Sequence, residues 1–243
     1  MSPLRALRRG VNRRVDLVPM NPLEQLRAGH LAHRLAQLVI GLVLFGASMA
    51  LLLRASLGLE PWGVLQFGLI QYIPMSYGVM SIVVSFVVLL AWIPLRQWPG
   101  LGTVLNAVII GLAIDATLAV VPPLSALPAR AALVALAIVG NGVAGAMYIG
   151  SQLGPGPRDG LMTGLARRTG ASIRLVRTCL EISVVTMGFL LGGTLGIATL
   201  LYAVLIGPVV QFFLPMLTVR LNAPSPPGGL DPEPEGEPDP IGS

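Results

Sequence analysis

Six apolar runs, each close to twenty residues long, divide the chain: about 35–53, 77–95, 102–121, 130–150, 174–192 and 197–217. A helix of about twenty residues, rising 1.5 Å per residue, matches the ~30 Å hydrocarbon core of a bilayer. Hydrocarbon offers the backbone no hydrogen-bond partners, so runs of this length and apolarity fold as spanning helices. The chain is 54% hydrophobic and only 11% charged. A soluble domain carries about 25% charged residues. An all-α integral membrane fold follows, with the lipid bilayer as its surroundings.

All sixteen basic residues are arginines, and the net charge is +5. A nucleic-acid surface would gather them on one soluble face, whereas here they alternate with spanning-length segments, so no nucleic-acid partner is expected. With the N-terminus inside, fourteen arginines fall in cytoplasmic segments: seven before the first span, then Arg96, Arg158, Arg167, Arg168, Arg174, Arg177 and Arg220. Arg54 and Arg130 remain outside. This is the positive-inside pattern, and it places both termini in the cytoplasm. The first apolar run is too long for the core of a cleaved signal peptide and reads as a retained span.

The organisation expected is a basic arm over residues 1–20, a three-helix unit over 21–121, a second over 122–217, and a disordered acidic, Pro-rich tail over 218–243. Asn21, Pro22 and Glu24 form a helix start, and that helix is expected to continue into the membrane. Displaced by 96 residues, the chain matches itself: residues 57–115 and 153–211 share 16 identities in 59 positions without a gap. Three spans per unit is an odd number, so the second unit starts on the opposite face. The two units would be inverted repeats.

Matching loops follow the first span of each unit. One reads Leu57-Gly-Leu-Glu-Pro61-Trp62-Gly63, the other Leu153-Gly154-Pro-Gly156-Pro157-Arg158-Asp159-Gly160. Each has a glycine turn, then Pro at a helix start, then a segment too short to span. Two readings stand: a re-entrant half-helix whose N-terminus forms an anion site, or an amphipathic connector lying on the membrane surface.

The second loop, with Arg174-Leu-Val-Arg177 and Glu181, resembles the YczE-type bacterial membrane proteins, relatives of the YitT group. So do Leu57 to Leu65, and Trp92-Ile-Pro-Leu-Arg96 with Gly102 to Asn106. The resemblance covers roughly 34–217 and implies a multi-pass protein of the bacterial cytoplasmic membrane. In that family the first loop reads Pro-Trp-Asp; here Gly63 stands at the acid's position, opposite Asp159 in the second unit.

Polar residues within apolar runs are costly and tend to mark substrate or ion pathways. The candidates are Asp115, its repeat counterpart Gln211, Asn106, and the loop pair Arg158 and Asp159, together with Arg177 and Glu181, which are one helical turn apart. Asn141, Tyr148 and Tyr202 add further polar atoms to a midplane cavity, with Asp115 or Glu181 as its proton-coupling carboxylate. The competing reading makes these residues interhelical hydrogen bonds and one ion pair. Cys179 reads as an inert packing residue, and Gly188, Gly192 and Gly196 as a close-packing face. No zinc-protease or hydrolase motif is present; an enzyme and a bound cofactor are not expected. The leading expectation is a small secondary transporter or exporter of an unidentified, anionic or amphipathic small molecule. The alternative is a non-transporting scaffold or regulator, and a homo-oligomer stays open for either.

Overall fold

A computed structural model describes residues 21–221. The expected arm at 1–20, and all but the first few residues of the expected tail, lie outside the described residues. The elements are α1 (Pro22–Arg27), α2 (Leu31–Ala55), α3 (Pro61–Ile70), α4 (Tyr77–Leu90), α5 (Trp92–Leu95), α6 (Leu101–Val120), α7 (Leu127–Gly150), α8 (Pro157–Thr169), α9 (Ile173–Leu190) and α10 (Ile197–Leu217). No strand occurs among the described residues.

Among the described residues five helices are long and apolar enough to cross a membrane: α2, α4 running on through α5 to Leu95, α6, α7 and α10. The apolar run expected at 174–192 forms the helix α9, which Arg174, Arg177 and Glu181 keep below that measure. The helix starting at Pro22 does not run into the first span. It stops after six residues, and Gly29 and His30 turn the chain through positive φ (85° and 50°) before α2 begins.

The helix starts follow from local chemistry. Glu24 closes back on the Asn21 amide. Pro61 and Pro157 open α3 and α8 at the first helical position, where a missing N–H costs nothing. Ser76 and Ser172 cap α4 and α9 by accepting from the amides of Val79 and Leu175.

Helix α2 is the hub, packed against α6 on one side and α7 on the other; α10 lies on α7, α3 on α9, and α4 on α6. Leu38, Leu42, Met49, Ile114 and Leu153 form a fully buried centre. Inside a bilayer lipid tails are as apolar as leucine, so close packing and hydrogen bonds hold helices together. Gly46 permits that closeness, since a Cβ there would collide with the Ile110 carbonyl of α6.

The expected glycine face on α9 divides into three separate roles. Gly188 lies against the backbone of Leu65, Gly192 has φ 89° and ends the helix, and Gly196 abuts Leu57. Cys179 is exposed rather than packed.

Several hydrogen bonds recur in crosswise pairs. Arg34 donates to the carbonyls of Ser151 (2.8 Å) and Gln152 (2.6 Å), closing the end of α7. Arg130 does the same for Ala55 (2.6 Å) and Ser56 (2.7 Å) at the end of α2. Gly102 N–H donates to the Leu153 carbonyl (2.8 Å), and Ala198 N–H to the Leu57 carbonyl (3.0 Å). Within each set the corresponding residues stand 96 apart in the sequence, the offset of the internal match.

Candidate functional site

The short helices α3 and α8 meet by their N-terminal turns. Arg158 stands over the ring of Trp62, 5.0 Å from its centroid, and both residues occupy the second position of their helix. Cations over an indole face gain about 0.5–2 kcal/mol depending on desolvation. Around this contact lies a cavity of about 280 Å³, mostly apolar in lining but with charged groups in its wall. Its wall includes Pro61, Trp62, Pro157, Arg158 and Asp159 from the short helices, Asn106 from α6, Arg177 and Glu181 from α9, and Gln211 from α10.

The loop backbone brings these turns together. Gly154 has φ 115°, a conformation that favours glycine, and approaches Gly100. The Thr103 hydroxyl donates to the Pro155 carbonyl at 2.7 Å. Gly156 N–H donates to the Tyr148 hydroxyl, which itself donates to Asp159. Gly160 lies beneath Trp92, where any Cβ would enter the indole ring, and the Trp92 indole N–H donates to the Pro157 carbonyl at 3.0 Å. Gly154 and Gly160 therefore shape the loop and do not line the cavity.

Arg177 and Glu181 pair at 2.8 Å within α9. Asp115 lies elsewhere. Its carboxylate accepts from the Ser76 hydroxyl and from the Gly78 amide at 2.8 Å, and it is not part of the cavity wall.

Tyr148, Tyr202 and Asn141, polar residues within the apolar runs, are lining residues, and Tyr202 donates to the Asn141 Oδ1 at 2.9 Å. One feature of the wall escaped the sequence reading. Glu60 lines the cavity too, is 2% exposed, and neither of its carboxylate oxygens accepts a hydrogen bond of ordinary geometry. Burial pushes the Glu60 carboxyl up to about 7, an effect the charge of Arg158 opposes. Burial raises Asp159 as well, to about 6, against the pull of Arg177. The signal available for Glu60 was its place directly before Pro61, the helix N-cap. Among the described residues no group of three His, Cys, Asp or Glu side chains could hold a metal ion.

The class these features define is a helical, multi-pass membrane protein with a cavity among its helices. The chain belongs to the family described as "Family of unknown function (DUF6198)", whose model matches residues 32–215. It is 42% identical over 177 residues to an uncharacterized protein of Haemophilus influenzae, covering 73% of this chain and 81% of the relative. It is 32% identical over 179 residues to the uncharacterized membrane protein YczE of Bacillus subtilis, covering 73% and 83%. A further Bacillus subtilis relative, the uncharacterized protein YyaS, is 26% identical over 182 residues, covering 73% and 90%. The YczE-like resemblance read from the loops is thus the family relationship. No solved structure matches the chain.

Proposed function

We propose that the protein is a small secondary transporter or exporter built from two inverted three-helix units, with α9 as the sixth span. The observation that carries this reading is the cavity, with charged groups in its wall, where the N-terminal turns of α3 and α8 converge. Transporters of inverted-repeat design place their sites between the repeats, at the N-termini of interrupted helices. Crosswise bonds at a constant 96-residue offset support two equivalent units facing each other. For α9, an outward face with Leu175, Ile182, Met187 and Phe189 exposed suits lipid, while Arg177 and Glu181 turn to the cavity. The wall holds three carboxylates (Glu60, Asp159, Glu181) and two arginines (Arg158, Arg177). That balance favours a polar neutral or zwitterionic cargo over the anion expected from the arginine-rich loop. The parts named here bind and expose a solute and break no bond, so no enzymatic step is proposed.

Alternating access is the testable content. In a Cys179→Ser background, a single cysteine at Asn106 is placed in the cavity wall. A membrane-impermeant maleimide should label it both in right-side-out and in inverted vesicles. Labelling from only one face, or from neither, would sink the transport reading and return the scaffold reading to the front.

A further inference from the structure

Each carboxylate near the cavity can be asked what balances its charge. Asp115 has a hydroxyl and an amide donor, Asp159 has the Tyr148 hydroxyl, and Glu181 has Arg177 in contact. Glu60 has no hydroxyl donor and no cation in contact; only the amides of Glu60 itself and Gly63 lie toward it, neither at ordinary hydrogen-bond geometry. It is sealed at 2% exposure, forms no ion pair within contact distance, and the Tyr77 hydroxyl close by is itself without a hydrogen-bond partner. An isolated buried carboxylate is so costly that the group takes up a proton instead.

The position of Glu60 adds a second observation. A Cβ built on Gly63 would stand 2.5 Å from Glu60 Oε2 and 2.5 Å from the Tyr77 hydroxyl. The Glu60 carboxyl therefore fills the space a side chain at residue 63 would occupy.

We infer that Glu60 is the proton-binding carboxyl of the cavity: it is neutral and sealed in the conformation seen here, and on losing its proton it turns toward Arg158. The inference rests on the transport reading for its purpose, though not for its chemistry. No bond other than O–H is made or broken; the proton leaves to water in the cavity, and the new carboxylate gains the guanidinium as its counter-charge. Arg158 would then exchange the face of Trp62 for an ion pair, coupling protonation to the contact between α3 and α8. The charged and titratable groups facing Glu60 are Arg158 and Asp159 from α8, Tyr77 from α4, Tyr202 from α10, and Arg177 with Glu181 from α9. Burial is the dominant influence, and Arg158 is the main opposing one.

Infrared difference spectroscopy on the full chain in lipid tests this directly. A protonated-carboxyl C=O band should be present below neutrality, titrate near pH 7, and vanish in Glu60→Gln. It should persist in Asp115→Asn and Glu181→Gln. A band that survives Glu60→Gln and is lost in Asp159→Asn would overturn the proposal, as would no titrating band in the wild type. Glu60→Gln keeps the shape of the side chain; should it fail to fold, the titration of the wild type labelled with 13C-glutamate separates glutamate from aspartate bands and decides the question alone. The cysteine at Asn106 gives the independent arm. Its labelling rate, divided by that of a surface cysteine at Tyr72 to remove the thiol's own ionisation, should change several-fold between pH 6 and 8 with Glu60 present and lose that dependence in Glu60→Gln. A Glu60 band that titrates while labelling stays confined to one face would uphold the proton site and defeat the transport reading.

Discussion

Asp115 accepts from Ser76 and Gly78 at the first turn of α4, so its charge is engaged in holding the start of that helix against α6. Asp115→Ala removes both bonds and should destabilise the protein by about 1–3 kcal/mol, the range for leaving polar partners of a charged group unpaired. Melting in detergent measures it, and Asn106→Cys labelling should keep its two-sided pattern. Glu60 behaves oppositely. Its carboxyl is raised to about 7 from an ordinary value near 4.5, so the folded protein holds a proton the unfolded chain releases. The stability this contributes is fully present below pH about 4.5 and is lost as pH rises through about 7. The melting temperature should fall across that interval, with a shallower fall in Glu60→Gln. Sequence alone singled out Asp115, Arg177 and Glu181 yet could not say which charges were satisfied. Asp115 meets its donors 37 and 39 residues upstream, and no local pattern announces such a meeting. Glu60 hid in plain view because a carboxylate before a helix Pro reads as an ordinary N-cap, and its side chain makes no cap bond.

At the scale of the helix, the boundaries were the most legible feature. Asn21, Ser76, Ser172, Pro61 and Pro157 mark starts by their own chemistry, and α10 runs over the 197–217 expected of it. What stayed hidden was the ending of helices by distant arginines. Arg34 is fully buried and gives its guanidinium to the carbonyls of Gln25, Ser151 and Gln152. Arg130 closes only two carbonyls, at a more exposed place. A lysine presents one ammonium and cannot reproduce the planar fork. Arg34→Lys should therefore cost about 2–4 kcal/mol and Arg130→Lys about 1 kcal/mol, given the larger penalty for unpaired buried groups. Thermal unfolding of the two variants side by side checks the order. Reversal of that order would mean that the two helix ends are held by other forces.

For the whole molecule, the sidedness of the two short-helix loops distinguishes an inverted arrangement from any other. Tyr72, after α3, is exposed, and so is Arg168, at the end of α8. In two inverted units these positions lie on opposite faces of the membrane. Single cysteines at Tyr72 and Arg168, again without Cys179, should react with an impermeant maleimide from outside and inside respectively. Reaction of both from one face would contradict the inverted arrangement. The repeat was visible in the sequence because glycines and prolines in the loops keep their spacing; the cavity was not, since the residues lining it come from eight different helices.

The arginine closures also set an order of events during synthesis. The carbonyls of Ala55 and Ser56 meet their donor only when Arg130, 75 and 74 residues later, has been made. Arg34, in turn, finds its acceptors at Ser151 and Gln152 only after more than a hundred further residues. A nascent first half thus enters the bilayer with an uncovered cation and open helix-end carbonyls, a form that quality-control proteases recognise. A chain ending after Val121 should be cleared rapidly in a pulse-chase experiment, and co-synthesis of residues 122–221 as a second chain should protect it.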